Sequence, residues 1–210
     1  MSSRPDSEKL ERLQQARPLL FPAVALNEGP EELAARTVRA EWLGPAKPVV
    51  IANAVIDGPV SLASAVLDGA WSVTESIFRD AVDFSSATFQ KTACFDGSHF
   101  LRRVSFRDAR LSGDLECRRV FFAAPADCTD LAVSESFDAR SATFAEVVFD
   151  NVRIGASLLL QPARPDAPTY FKAIVRESTL ASGANLDHVG FHQSADFNGA
   201  RFSAAAASTG

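Results

Sequence analysis

The residues of this chain that could carry chemistry are few, and their spacing limits what each can do. His188 and His192 in DHVGFH stand four apart, the separation that sets two metal ligands on one helix face. Cys94, Cys117 and Cys128 form no CxxC pair, and an odd number does not suit a disulfide framework, so they read as reduced thiols. His99 has no serine or cysteine placed near it by a nucleophile motif. The chain carries no G-x-S-x-G elbow, no P-loop and no dinucleotide fingerprint. Asp57, Asp68, Asp83 and Asp96 could be mistaken for paired carboxylates, but they fit solvated outer and corner positions better. The sequence therefore predicts no catalytic site, no metal site and no cofactor.

Binding is a different matter. Arg102, Arg103, Arg107, Arg110, Arg118 and Arg119 crowd the stretch from Ser98 to Arg119, where the only acids are Asp108, Asp114 and Glu116. Six cations against three anions leave that segment at +3, while the whole chain carries -5. Guanidinium groups pair well with carboxylates and phosphates, so the cluster is the first candidate interaction surface. The second is the Pro-rich stretch QPARPDAP, where Gln161, Arg164 and Asp166 would stand on a projecting loop.

Composition narrows the partner. At 210 residues, 47% hydrophobic and 22% charged, the chain can bury a substantial core, and its mixed charge gives no long-range pull towards nucleic acid. Direct nucleic-acid binding is not expected. The first residues, MSSRPDSEKLERLQQARP, lack the apolar centre of a secretory signal, and Pro18 to Leu26 is far shorter than the roughly 20 residues of a spanning helix. A cytoplasmic protein without a membrane segment is the expectation.

The elements that must position these residues show in a rhythm. Large or medium residues stand at Ile51, Ile56, Leu62, Leu67, Val73, Phe78, Phe84, Phe89, Phe95, Phe100, Phe106 and Leu111, in steps that alternate between five and six. Two residues before each lies a small or β-branched one, Trp71 excepted. A helix fails, because residues five apart on it are separated by about 140° and cannot share a stripe. In a strand, residues two apart point the same way, so Ala87 and Phe89 can face inward together. Five is odd, so the chain must turn a corner between successive large residues. One corner per unit closes it into a coil.

These residues resemble the pentapeptide-repeat proteins, with the closest matches at Val82-Asp83-Phe84, Ala184-Asn185-Leu186 and Ala195-Asp196-Phe197. The resemblance covers about Val49 to Phe202 and implies an all-β solenoid, a right-handed quadrilateral parallel β-helix of about seven coils. The alternating steps predict about 22 residues per coil, with the additions absorbed at two corners. Ile56, Phe78, Phe100, Phe122 and Phe144 then form one internal ladder, Phe84, Phe106 and Cys128 a second, and Phe95, Cys117 and Ala139 a third. His99 points outward and the two later cysteines inward. His188 and His192 fall on different sides of a corner, which removes the helical argument for a metal.

Residues 47–203 are thus expected to form the β-helix, with a loop at 161–168 and a tail at 204–210. Residues 1–46, rich in helix formers over Ser7–Ala16 and Pro30–Trp42, are expected to form a short α-helical cap. A β-helix leaves open ends that must be covered, so a homodimer through the C-terminal coil is expected. The function expected is a non-catalytic protein-interaction or scaffold module, not an enzyme, whose protein partner has unknown identity. The resemblance implies one alternative, a DNA-mimicking, gyrase-binding protein, which would need an acidic face along the rod.

Overall fold

The computed structural model describes residues 37–45 and 48–160 in full, together with the strand backbones at Leu19–Leu20, Thr169–Tyr170, Lys172–Arg176, Thr179–Leu180, Ala184–Asn185, Val189–Gly190, Ala195–Asp196 and Arg201–Phe202. The backbone winds as a parallel β-solenoid of about six turns with four faces. Strands of two to five residues stack into sheets of 8, 7, 6 and 7 members, each strand pairing in parallel with the one a coil away. Face 1 contains Trp71–Thr74, Ala93–Cys94, Leu115–Glu116 and Phe137–Asp138. Face 2 contains Val55–Asp57, Ile77–Phe78, His99–Phe100, Phe121–Phe122 and Thr143–Phe144. Face 3 contains Val82–Asp83, Val104–Ser105 and Ala126–Asp127, and face 4 contains Thr88–Phe89, Arg110–Leu111 and Ala132–Val133.

The register is the one expected. Phe78 pairs with Phe100, Phe100 with Phe122 and Phe122 with Phe144, each 22 residues on. The spacing drops to 21 at Asp127–Val148 and Phe137–Leu158, where the sequence steps by plain fives, and rises to 26 at Ile154–Leu180. The longer spacing follows from the Pro-rich insertion, and the turns number about six against the seven counted from the sequence. The insertion itself, with Gln161, Arg164 and Asp166, lies outside the described residues.

Inside, the rings stack as the register demands. Phe78, Phe100, Phe122 and Phe144 lie nearly parallel, with centroids 4.5, 5.1 and 4.6 Å apart and interplanar angles of 10° or less. Those distances are close to the roughly 4.8 Å between neighbouring strands, so each ring keeps one rotamer and rests on the next. Phe84 stacks on Phe106 at 5.3 Å, and Phe95 meets Phe100 and Phe106 edge-on. Trp71, a bulky residue where the pattern expects a small one, is matched by the small Val73 two residues later. Phe137 with Ala139 and Leu115 with Cys117 make the same exchange, while Ala93 with Phe95 keeps the usual order. All eight side chains are buried.

Two of the four corners turn by a device that the sequence hides. Ser64, Ser86, Gly97, Asp108, Arg119, Asp130 and Ser141 have φ between 56° and 67°, in steps of eleven residues broken only at Glu75, where φ is 47°. The amide that follows each one donates to the carbonyl three residues back, at 3.0–3.3 Å. A positive φ at the third position with this bond defines a type II turn. Only Gly97 adopts that φ without cost. It also makes room: a Cβ there would collide with the Glu75 carboxylate, which lies across it. At the two earlier corners of this set the amides of Ala54 and Ser76 donate instead to the buried hydroxyls of Ser76 and Ser98, at 3.0 and 3.2 Å. Those hydroxyls donate in turn to the carbonyls of Thr74 and Val73, so no group in the chain of bonds is left open.

The N-terminal expectation needs correcting where it can be compared. Of the helix expected over Pro30–Trp42, Thr37–Arg39 is a strand that pairs with Val55–Asp57, and Ala40–Trp42 is a single 3-10 turn. Val38 is fully buried above Ile56, so the β-branched pair Thr37-Val38 and the open core beneath it outweigh the local helix propensity. Leu19–Leu20 likewise pairs with Ile51 and Ala52. The rest of the expected cap lies outside the described residues.

Phe100→Ala removes the middle of the longest ring stack and should destabilise the fold by about 3–5 kcal/mol in urea unfolding. A loss under about 1 kcal/mol would contradict the stacked register.

Candidate functional site

The Arg cluster is contiguous in sequence and scattered in space. One coil takes 22 residues to circle the rod, so a stretch of similar length passes every face. Arg102 and Arg103 stand exposed at the corner between faces 2 and 3, Arg107 follows face 3, and Arg110 is on face 4. Arg118 and Arg119 follow the face 1 strand Leu115–Glu116. Three of the six are engaged in ion pairs between coils. The Arg118 amide and Nε donate to the Asp96 carboxylate at 2.8 and 2.7 Å, and its Nη2 lies 3.3 Å from Glu116. Arg119 Nη2 reaches two coils back, over Gly97, to Glu75 at 3.0 Å. Arg107 Nη2 donates to Asp127 at 2.8 Å. Arg102, Arg103 and Arg110 have no ion pair among the described residues.

Face 1 carries the densest polar network. Asp138, mostly buried, accepts from Arg140 Nε at 2.9 Å and Nη2 at 2.6 Å, a bidentate clamp. Burial alone would raise the Asp138 carboxyl, but the hydrogen bonds and charge of Arg140 outweigh it and hold the group below its ordinary value. Asp127 follows the same balance, with Thr129 and Arg107 overcoming burial. The Cys94 thiol is pushed up to about 12, first by burial and then by the carboxylates of Glu116 and Asp96. Cys117 and Cys128 face inward as expected, and burial pushes both thiols well up. All three stay protonated and make poor nucleophiles at neutral pH.

Cys94, Asp96 and Glu116 bring their ligand atoms within 4.8 Å of one another. The same two carboxylates already bind Arg118, which offsets part of the charge a divalent cation would meet. Face 3 holds a shallow groove of about 570 Å³ with Ser105 and Asp127 in its lining and Arg103 and Arg107 among its edges. His99 is exposed on face 2, while His188 and His192 lie outside the described residues.

Face 2 holds what the sequence reading missed. In its later strands, from His99–Phe100 on, the outward positions are His99, Leu101, Phe121, Ala123, Thr143 and Ala145, all exposed and none a carboxylate, ammonium or guanidinium, whereas the earlier strands carry the exposed Asp57 and Arg79. Leu101 and Phe121 are two of the three large hydrophobic residues exposed among the described residues, at 40% and 41%. His99 packs against Phe121 with ring centroids 5.7 Å apart. The signal was present as an apolar residue one place from an inward Phe, in Phe100-Leu101 and Phe121-Phe122. It was masked by the stronger inward pattern.

Residues 74–120 match the family model described as pentapeptide repeats (9 copies), in agreement with the resemblance drawn from the residue pattern. Neither the curated proteins nor the solved structures yield a match. Among the described residues no helix is long and apolar enough to cross a membrane.

The lowered carboxyls set an acid dependence. A group whose folded value lies below its unfolded one contributes stability at higher pH and loses it as pH falls through the folded value. Asp138→Asn should therefore reduce the loss of stability measured as pH falls below about 4. An acid limb unchanged from wild type would contradict the clamp.

Proposed function

We propose that this chain, with pentapeptide repeats over residues 74–120, is a non-catalytic protein-interaction or scaffold module. The observation that carries this reading is where the reactive side chains are spent. Arg107, Arg118, Arg119 and Arg140 bind Asp127, Asp96, Glu75 and Asp138, and the thiols are held protonated. These groups join one coil to the next or clamp their own strand, which stiffens the rod and leaves flat faces for contact. A stiff surface loses little entropy on association.

The gyrase-directed alternative has less support. A duplex mimic requires an unbroken run of acids, whereas the outward positions of face 1 pass from Asp96 to Arg118 and Arg140, and Arg107 and Arg110 follow on faces 3 and 4. The cytoplasmic location and the homodimer through the C-terminal coil belong to the same proposal. Light scattering at micromolar concentration should give twice the chain mass, and a monomer would remove the dimer from it.

The module reading is tested by affinity capture with the purified protein, comparing wild type with a variant carrying Arg102→Ser, Arg103→Ser and Arg107→Ser. A partner recovered by wild type and reduced in the variant is the expected result. Recovery of no protein partner under either condition would overturn the reading.

A further inference from the structure

The interaction-module reading leaves open which surface binds and what chemistry it selects, and the inference that follows rests on that reading. Face 1 is saturated with ion pairs, and the face 3 groove has its arginine edge partly neutralised by Asp127. Face 2 differs from both. Beyond the Arg79–Asp57 pair, its exposed stripe of His99, Leu101, Phe121, Ala123 and Ala145 is mostly apolar and carries no carboxylate, ammonium or guanidinium. At one margin, immediately after Leu101, stand Arg102 and Arg103, exposed and without an ion pair among the described residues. Of the acids around them, Glu75 is held by Arg119 and Asp57 by Arg79, and Asp80, one coil back from Arg102, accepts from the Gly58 amide, so two arginines face one carboxylate at this corner.

We propose that face 2 docks a short acidic segment of another protein, with Leu101 and Phe121 receiving its apolar side chains and Arg102 and Arg103 its carboxylates. Size argues for a segment over a folded partner. Three stacked rungs at about 4.8 Å and strands of two or three residues give a stripe of roughly 14 Å by 10 Å. That is far below the about 800 Å² per partner of a stable globular interface, so a second copy of this chain is too large an occupant for so small a patch. About four extended residues span the same length at roughly 3.3 Å each. The net positive charge beside the apolar stripe then selects negative charge in the segment, since a basic one would meet like charge.

The test uses the full chain and three labelled peptides in fluorescence anisotropy: an acidic-apolar probe, EDLDFEE, the same probe with both apolar residues changed to Ser, and a basic counterpart, KKLKFKK. The acidic-apolar probe is expected to bind with Kd on the order of 10–100 μM, weakening as salt is raised, and the other two should bind at least about tenfold more weakly. Leu101→Ser with Phe121→Ser should weaken the acidic-apolar probe by about tenfold, and Arg102→Ser with Arg103→Ser should weaken it and flatten its salt dependence. All four positions are exposed, and circular dichroism checks that each variant keeps the fold. Equal binding of the acidic and basic probes, or binding unchanged in both variants, would overturn the proposal. So would wild-type self-association that Leu101→Ser with Phe121→Ser abolishes, because a second copy would then be the occupant. A cellular partner captured equally by wild type and both double variants would overturn this surface while leaving the module reading intact.

Discussion

Parallel stacking at about one strand spacing is the constraint on which everything else in this rod depends. Because each strand bonds to the strand 22 residues away, every inward position must tolerate its own counterpart directly above and below. Flat rings satisfy that demand well. Their stacking distance of 4.5 to 5.1 Å nearly equals the backbone repeat, so backbone hydrogen bonding and ring packing are optimal in the same geometry. Where one inward position of a face 1 rung is bulky, as at Trp71 or Phe137, its partner two residues on must be small. The core is therefore filled rung by rung.

The same rule reaches the surface with the opposite sign. Identical charges stacked one coil apart repel, so an outward column is stable only if it changes sign or borrows a neutralising partner. Asp96 above Arg118 follows the first course, and Glu116 beside Asp138, each with an arginine two residues on, follows the second. Glu75 and Arg119 join across two coils because Gly97 leaves the intervening surface low. Ion pairs that lock coils together have less to offer a partner. Face 2 also holds one such pair, Arg79 with Asp57, so contact is left to its later rungs, from His99 and Leu101 to Thr143 and Ala145.

Much of this was legible in the residue order. The alternating steps gave a coil with one corner per unit, and the resemblance to pentapeptide-repeat proteins made it four-sided; together they set the 22-residue register and the membership of each ladder, because inward Phe at a fixed spacing is a strong and redundant signal. Three features were not. The type II corners went unseen because only Gly97 among seven such positions is a glycine, and Ser, Asp and Arg carry no comparable mark of positive φ. The early strand at Thr37–Arg39 was concealed by neighbours with high helix propensity, which an open core overrides. The arginines looked like a patch because adjacency in sequence was taken for adjacency in space, although one coil carries such a stretch around the whole perimeter.

The claim that ring stacking between successive coils holds the rod together is tested most directly by a double-mutant cycle on Phe100 and Phe122, each changed to Leu. Leucine keeps most of the apolar volume and removes the ring face, so the cycle isolates the stack itself. A favourable coupling of about 0.5–1.5 kcal/mol is predicted. Strict additivity, within about 0.3 kcal/mol, would show that the two rings do not rest on each other and would contradict the account.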